Sequence, residues 1–386
     1  ICSIMTSLAD GYAARQMPRS PDAAGAAAAA KLPAAPDGLS PAGERGIGRR
    51  KCIDEMLGVI EETATKILEQ TSGAVVRHRL LRDVLRKASN SPELQQARDD
   101  LNHSRCVQEL ADEQWADGGW GAFHSRSTRL KQRIPSTEVG VERALSLGLD
   151  ASHPILQKAS AYILAIMQGD IEFPDYHEKN DRWQTGMRLF LASTLSLIYP
   201  DHPALNDDRA LWHEIARRTF QSGKYSEQDE TNAHADLTGA TVRDSYLVLN
   251  NKYQLNILGS IPGMLSEQLE IALLQWLWER PDGIGYLEIP LNQPPPTKPG
   301  PFDRWLTSLE MLSRLFPTWV RFAQSSIEWL WTQRDERGYW DFGPRPSSIV
   351  FLPLSDNWRN RQNRLFDWTT RVLILLRKYY EGSHLS

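Results

Sequence analysis

Cysteine is scarce in this sequence, with only Cys2, Cys52 and Cys106 among 386 residues. No two of them form a Cys-x-x-Cys pair, and three cysteines cannot supply the disulfide framework of a small secreted domain. We therefore expect a fold without disulfides and a cytoplasmic location, where thiols stay reduced.

Long apolar runs and an excess of basic residues are also missing. No stretch of about 18 apolar residues occurs, so the sequence predicts no transmembrane segment. The formal net charge is -4 and the pI is near 6.2, and no basic stripe could displace counterions from phosphate. We therefore expect no nucleic-acid partner. With 41% hydrophobic and 24% charged residues, the composition is that of an ordinary soluble protein.

The N-terminal region differs in composition from the rest. Nine of the thirteen residues 23–35 are alanine, with Gly, Lys, Leu and Pro between them, and a basic stretch follows at residues 45–51. The segment has no leucine-rich core before a cleavage site, so it is a poor candidate for a secretory signal. We predict a disordered Ala/Pro-rich tail over residues 1–55 and one folded domain over residues 56–381.

Five glutamines recur at nearly even spacing along the predicted domain. The intervals are 54, 53, 54 and 58 residues, and the positions are Gln114, Gln168, Gln221, Gln275 and Gln333. Each glutamine ends an apolar helical stretch and is followed by glycine, in most cases with an aromatic residue close by. Such a period is typical of a repeat protein. We expect each glutamine to bond backbone groups at a helix end while the glycine permits the turn.

The segment from Gln114 to Trp120 has the form Gln-x-x-x-Gly-x-Trp. It resembles the QW repeat of squalene and oxidosqualene cyclases and of their prenyltransferase relatives. The resemblance extends over about residues 70–380. It implies an α/α toroid with a central cavity for isoprenoid chains, so a hydrophobic or isoprenoid small molecule is the partner that it suggests.

Apolar periodicity predicts an all-α protein with two sets of helices. The stretches that end at the glutamines carry charges on one side, which is typical of outer helices; they lie at residues 107–114, 155–168, 210–221, 265–275 and 323–333. The alternating stretches are predicted inner helices at residues 75–85, 136–147, 183–198, 237–249, 305–316 and 368–379. Together they predict a single α/α toroid with about six inner and five to six outer helices.

Two groups of polar residues recur at the predicted helix starts. One is a set of aspartates, at Asp181, Asp236, Asp303 and Asp367. Because aspartate is a preferred N-cap, we interpret them as helix caps. The other is the His-Pro pair at His153 and His202, which we interpret as turn residues because proline suits the first turn of a helix.

The connections from outer to inner helices are long, and all are expected on one face. Binding and catalytic residues usually lie on loops held by a rigid scaffold, so this face is the predicted site. The most acidic of these loops contains Asp229, Glu230 and His234, and Asp244 follows in the most polar predicted inner helix. An acid in an apolar pocket has a raised pKa and can protonate an alkene. These four residues are the predicted catalytic groups.

Aromatic and histidine side chains on the same face are the predicted substrate-binding groups. They are Trp183, Tyr246, Trp305, His124 and His177. Aromatic faces stabilise cations, which would suit carbocation chemistry on an isoprenoid. The histidines stand at similar distances after their glutamines, so with nearby acids they could also bind a metal. The sequence does not determine whether a metal or another cofactor binds.

Charged residues also occur within the predicted inner helices. They are Glu138, Glu142, Arg188, Arg243, Asp244, Glu310, Arg314 and Arg371. Buried charges are costly unless they pair or face a wet lumen. Glu310 and Arg314 have the i,i+4 spacing of a pair on one helix.

The catalytic motifs of the related enzymes are absent. The sequence contains neither Asp-x-Asp-Asp nor Asp-Asp-x-x-Asp, and Cys106 is the only cysteine that a prenyltransferase-type zinc set could use. Three functions stay open: an enzyme acting on a prenyl or other hydrophobic substrate, a non-catalytic toroid that binds a lipid, peptide or protein, and a metal-dependent or hydrolytic α/α barrel with two acids. The sequence does not decide the oligomeric state.

Overall fold

The computed structural model describes residues 42–70, 72–125, 131–242, 245–293, 295, 298–344 and 350–385, without the side chains of residues 42–51 and 385. The chain divides into two compact units, Ile1–Ile47 and Gly48–Ser386. Only residues 42–47 of the first unit are described. The second unit contains the cavity and all the contacts discussed below.

The described ranges are all-helical, with no β-strand, which confirms the predicted fold class. In chain order the helices are α1 (Ala42–Leu68), α2 (Ala74–Arg79), α3 (Pro92–Asn102), α4 (Arg105–Asp112), α5 (Thr137–Leu147), α6 (Pro154–Gln168), α7 (Trp183–Ile198), α8 (Asn206–Thr219), α9 (Glu227–Thr238), α10 (Lys252–Leu258), α11 (Glu267–Glu279), α12 (Pro299–Leu315), α13 (Gln324–Thr332) and α14 (Arg361–Leu385). A π-helical turn, Leu80–Val84, continues α2. Across these ranges no helix combines the length and the apolar character that crossing a membrane requires.

Helix α1 runs through the domain edge predicted between residues 55 and 56. Its buried residues Ile53, Ile60 and Ile67 recur every seven residues, so they lie on one side of the helix. The apolar stripe thus begins before the predicted edge, and residues 42–55 are helical rather than part of an unstructured tail. The prediction for residues 1–41 lies outside the described residues.

The histidines of the two His-Pro pairs are turn residues, as the sequence predicts. His153 is the N-cap of α6, and its Nδ1 accepts a hydrogen bond from the Ile155 N–H at 3.3 Å. His202 does the same for the 3-10 turn Pro203–Leu205 through the Ala204 N–H at 3.1 Å. Each ring therefore binds a backbone donor that the helix start leaves unpaired.

The capping interpretation of the four aspartates is wrong. Two are buried inside helices: Asp303 binds Arg371, and the carboxylate of Asp367 accepts the N–H groups of Leu354 at 2.7 Å and Ser355 at 3.0 Å. The other two are exposed, Asp236 within α9 and Asp181 just before α7, where it accepts the Thr241 N–H at 2.8 Å. The helices that contain Asp236, Asp303 and Asp367 begin one turn or more before these aspartates, and the N-cap of α7 is Arg182, so none of the four carboxylates caps a helix.

The prediction of an inner helix at residues 237–249 is also wrong. Ser226 caps α9 by accepting the Asp229 N–H at 3.2 Å, so the predicted acidic loop is itself helical. Helix α9 then ends at Gly239, whose φ of 68° is left-handed. The chain has no helix over the described residues between Gly239 and Asn251, and the next helix is α10.

Two turns of the repeat have the same geometry. The indole Nε1 of Trp120 donates to the carbonyl of Leu110 at 3.0 Å, and that of Trp340 donates to the carbonyl of Leu330 at 2.6 Å. The backbone N–H of each tryptophan donates to a threonine hydroxyl, at 3.1 Å to Thr137 and at 3.0 Å to Thr369. Each tryptophan is fully buried and joins the helix before it to the helix after it.

At the last of these turns, the residue that takes the role of Gln114 lies one position later than the glutamine spacing predicts. Gln114 Nε2 donates to the Gly118 carbonyl at 2.9 Å and to the Ile155 carbonyl of the next module at 2.9 Å. In the other turn Arg334, not Gln333, occupies this place, since its Nε donates to the Gly338 carbonyl at 3.0 Å. The side chains of Gln168, Gln221 and Gln275 are exposed.

Helices of the second unit form a closed circuit in which each helix contacts the next. Helix α5 contacts α7, α7 contacts α10, α10 contacts α12, α12 contacts α14, and α14 contacts α2. Arg79 of α2 donates to the Ser146 carbonyl of α5, which completes the circuit. Residues far apart in the sequence also meet, because Gln70 Nε2 donates to the Tyr339 hydroxyl at 3.0 Å.

Replacing the glutamines tests which of them belong to the repeat turn. Gln114→Ala should lower the free energy of unfolding by about 1–2 kcal/mol, because it leaves two carbonyls unpaired. Gln221→Ala and Gln275→Ala should change it by less than about 0.5 kcal/mol, because both side chains are exposed. Urea denaturation measures all three variants. Equal losses would mean that the even spacing has a structural role at every module.

Candidate functional site

A cavity of about 330 Å³ is lined by residues from the helices of this circuit. Its wall residues recur at helical spacing: residues 142, 145, 146 and 149 from α5 and its end, 307, 310, 311 and 314 from α12, and 371, 374, 375 and 378 from α14. Helices α2 and α10 add further side chains. Segments far apart in sequence therefore build one site.

The wall of the cavity is strongly cationic. Two acids line it, Glu142 and Glu310, against six basic side chains, which are Arg79, Arg82, Lys252, Arg314, Arg371 and Lys378. Since the whole chain carries a net charge of -4, this concentration of positive charge is local. A cleft lined by one sign of charge attracts ligands of the opposite sign.

Four of the six cations are paired with acids. Arg371 binds Asp303 and Glu310, which outweigh the effect of burial and raise the pKa of the guanidinium. The i,i+4 pair expected between Glu310 and Arg314 is therefore replaced by a bond between helices. Lys252 Nζ lies 2.7 Å from Glu142 Oε1.

Arg79 and Arg82 share the carboxylate of Asp83. Burial alone would raise the pKa of Asp83, but these two guanidinium groups hold it well below its ordinary value. The charge of both arginines is thereby offset beside the cavity.

The remaining two cations, Arg314 and Lys378, have no carboxylate within ion-pair distance in the described ranges. Arg314 Nη2 donates to Asn256 Oδ1 at 3.0 Å, and burial lowers the pKa of its guanidinium. The Arg314 side chain is nevertheless exposed, because it borders the cavity, so the effect of burial on its charge is partial. Burial and the nearby Arg314 lower the pKa of Lys378 to about 8. Both groups would be stabilised by an anion in the cavity.

The rest of the wall is apolar. It includes leucines of α5, α7 and α14, together with Met311 and Phe351. These side chains surround the space between the cationic groups. The cavity can therefore hold a ligand that has both a charged and an apolar part.

A buried hydrogen-bonded cluster adjoins the cavity one helical turn from Glu142. The Tyr253 hydroxyl lies 3.0 Å from Glu138 Oε2 and 3.0 Å from His124 Nδ1, and these last two atoms are also 3.0 Å apart. Glu138 Oε1 is buried and has no partner in the described part of the chain. The three groups can exchange protons among themselves, which is the geometry that general acid–base chemistry requires.

Asp175 holds His124 in this place. Its carboxylate accepts the backbone N–H groups of Phe123 at 2.6 Å, His124 at 2.9 Å and Ser125 at 2.7 Å. The imidazole stacks on Phe190 with ring centroids 4.0 Å apart. The loop and α7 together fix the ring.

Predicted substrate-binding residues lie in three separate places. His124 belongs to the cluster described above, and Tyr246 packs beside it on Phe190. Burial and Glu178 raise the pKa of Tyr246 to about 12, and a Cβ at Gly186 would lie 2.4 Å from its ring. His177 and Trp183 contact each other with ring centroids 5.1 Å apart.

Trp305, the remaining predicted substrate-binding residue, is fully buried in the core. Its ring packs between Phe302 and Trp329, with centroids 5.8 Å and 5.5 Å away. The structure does not bring it to the cavity or to His124.

The structure places the predicted catalytic residues of α9 away from the cavity wall. His234 is fully buried and packs edge-on against Trp212, and neither ring nitrogen has a partner within the described ranges. Glu230 Oε1 accepts the Leu249 N–H at 2.7 Å, and its Oε2 accepts the Tyr225 hydroxyl at 2.7 Å. Asp229 lies in the first turn of α9, and Asp244 lies outside the described residues.

Sequence reasoning missed Lys378 and did not single out Arg314 as a site residue. The available signal was charge within apolar helices, which marks Glu142, Glu310, Arg314 and Arg371 as costly to bury. Of the other such residues described, Arg188 pairs with Asp208 at 2.7 Å, and Glu138 bonds Tyr253 and His124. The spacing of residues along the sequence does not tell which of these charged side chains has a partner of opposite charge.

The described residues include no group of three or more His, Cys, Asp or Glu side chains that could hold a metal ion. Comparison with known proteins gives no match: no protein-family model, no curated protein and no solved structure matches the chain. The function is therefore proposed from the cavity and from the sequence resemblance.

The buried His234 gives a pH-dependent contribution to stability. Burial lowers its pKa to about 4, whereas an unfolded histidine titrates near about 6.5. The unfolded chain therefore binds the proton first, and stability falls as the pH drops from about 6.5 to about 4. His234→Phe should reduce the loss between pH 7 and pH 4 by on the order of 3 kcal/mol. Urea denaturation at both pH values checks this, and an unchanged loss would show that His234 is charged in the fold.

Proposed function

We propose that this chain is an α/α-toroid protein whose central cavity binds an anionic amphiphile, a small molecule with a negatively charged head group and an apolar chain. An isoprenoid diphosphate is the member of this class to which the sequence resemblance points. The observation that carries the proposal is a pair of cations, Arg314 and Lys378, with which no carboxylate of the described residues pairs, in a cavity whose wall also has an apolar part.

The closed order of helix contacts supports the toroid. Helices α2, α5, α7, α10, α12 and α14 are the proposed inner ring, and each contacts the next around the circuit. The two matching tryptophan turns, at Trp120 and Trp340, support a repeat that links outer to inner helices.

The balance of charge supports an anionic head group. Arg314 is exposed and Lys378 is half-buried, both border the cavity, and no carboxylate of the described residues pairs with either, so a bound anion would offset their charges. An arginine and a lysine together suit a phosphate group, because the guanidinium offers a planar pair of donors and the ammonium a compact charge. A neutral hydrocarbon would leave both cations uncompensated.

The size and the walls of the cavity support an apolar chain. A volume of about 330 Å³ lies at the lower end of the range for small-molecule sites, which is about 300–1,000 Å³. Burying an apolar chain against the leucines of the wall contributes about 25 cal/mol per Å² of surface removed from water. Head group and chain would thus bind to different parts of one cavity.

The hydrolytic α/α-barrel alternative is less well supported by the geometry. It requires two carboxylates that are free to act on a bound substrate. The two acids of the wall, Glu142 and Glu310, are held by Lys252 and Arg371. Each is already committed to a basic partner.

Binding of three probes tests the proposal. We expect isothermal titration calorimetry to detect farnesyl diphosphate more tightly than either farnesol or inorganic diphosphate, because only the first uses both parts of the cavity. Arg314→Gln should weaken farnesyl diphosphate at least about tenfold, which corresponds to a loss of about 1.4 kcal/mol. It should leave farnesol binding nearly unchanged.

The matched control is Arg304→Gln, on the same helix but outside the cavity wall. It should bind all three probes as the unaltered chain does. Equal binding of farnesyl diphosphate by the Arg314→Gln variant, with its helical circular dichroism intact, would remove Arg314 from the site. Tighter binding of farnesol than of its diphosphate would contradict the anionic head group.

A further inference from the structure

We propose that Lys378 is a nucleophilic amine that forms an imine with the carbonyl group of an anionic ligand in the central cavity. This deepens the proposed function and rests on it only for the anionic part of the ligand. The cavity would then take a compound that carries both a carbonyl group and a phosphate or carboxylate. The inference begins from the position of Lys378 and from its missing counter-ion.

Lys378 faces the cavity from the inward side of α14. It stands one turn after Ile374 and two turns after Arg371, and all three residues line the wall. The side chain is partly buried, so the amine is screened from bulk water but open to a ligand. A reactive lysine needs this combination of access and partial desolvation.

The acids nearest to Lys378 are already held by arginines. Asp83 is bound by Arg79 and Arg82, and Glu310 is bound by Arg371. No carboxylate in the described ranges lies within ion-pair distance of the Lys378 amine. The charged form of the amine is therefore poorly compensated.

Lys252 provides a comparison in the same cavity. Its Nζ lies 2.7 Å from Glu142 Oε1, and although burial acts against its charge, Glu142 and Glu138 outweigh it and raise its pKa. The surroundings of Lys378 act on its pKa in the opposite direction. Burial, Arg314 and Arg79 all lower the pKa of its amine, to about 8. Lys252 keeps its proton at pH 8, whereas about half of Lys378 is then a free amine.

A free amine is the form that attacks a carbonyl carbon. The nitrogen lone pair forms the C–N bond, and the carbonyl oxygen takes up a proton. The oxygen then leaves as water, and the nitrogen loses both of its hydrogens, so the product is the C=N bond of an imine. No oxidant, reductant or metal takes part. Arg314 keeps its proton at this pH and can hold the anionic part of the ligand beside the amine.

Trapping with an anionic aldehyde tests the inference. Pyridoxal 5′-phosphate is added to the full chain in limiting amount, the imine is reduced with borohydride, and labelled peptides are identified by mass spectrometry. We expect Lys378 to be labelled at least about tenfold faster than Lys252 and than the exposed Lys158, because its free-amine fraction is larger. The rate should rise with pH around a midpoint near 8.

Two variants separate the amine from its charge. Lys378→Arg keeps a cation and should lose the label while it still binds farnesyl diphosphate. Lys252→Arg is the matched control and should leave labelling of Lys378 unchanged. Slower or equal labelling of Lys378 relative to Lys252 in the unaltered chain, a comparison that needs no variant, would overturn the inference.

A neutral aldehyde distinguishes this inference from the proposed function. If hexanal labels Lys378 selectively but no diphosphate binds, the reactive amine stands and the anionic head group fails. If farnesyl diphosphate binds through Arg314 but neither aldehyde labels Lys378 selectively, Lys378 is a binding cation and the imine inference fails.

Discussion

The bond between Arg371 and two acids of the neighbouring helix determines what the cavity can do. The buried guanidinium of α14 reaches Asp303, Glu310 and the Thr307 hydroxyl of α12. Removing it would leave two acids in the interior without a partner, a change that is strongly destabilising in proteins. Because the bond takes up Glu310, it also occupies an acid that acts on both Arg314 and Lys378. This ion pair between helices thus contributes to leaving both cations without a carboxylate partner among the described residues.

The acids around the rest of the cavity wall are likewise held in ion pairs with basic residues. Asp83 is held by Arg79 and Arg82, and Glu142 is held by Lys252, so each acid stabilises the helix packing. The positive charge left over is concentrated on adjacent turns of α12 and α14. The side chains of Arg314 and Lys378, which carry this charge, border the cavity. Their presence beside leucine-lined space is the physical reason to assign a ligand to this cavity.

The sequence predicts the helical class and some of the local structure but not the pairing of charges. Trp120 and the His-Pro turns follow from local rules, since turn geometry and helix starts depend on residues close in the chain. The aspartates were misjudged because their partners are distant: Asp303 binds a residue of α14, and Asp367 binds Leu354 and Ser355. The glutamine spacing fails at Gln333 for a related reason, since Arg334 can fill the place of Gln114 with a longer side chain. His124 was chosen for its position, and the structure adds the Glu138 and Tyr253 partners that position alone could not give.

The central claim is that a negatively charged head group binds between Arg314 and Lys378. A crystal structure of the chain with farnesyl thiodiphosphate, which resists ionisation of its head group, tests it most directly. The account predicts phosphate oxygens within hydrogen-bond distance of the Arg314 guanidinium and the Lys378 amine, with the farnesyl chain against the leucines of the wall. A head group bound on the outer face of α9, near Asp229, or an empty cavity at saturating ligand, would contradict it.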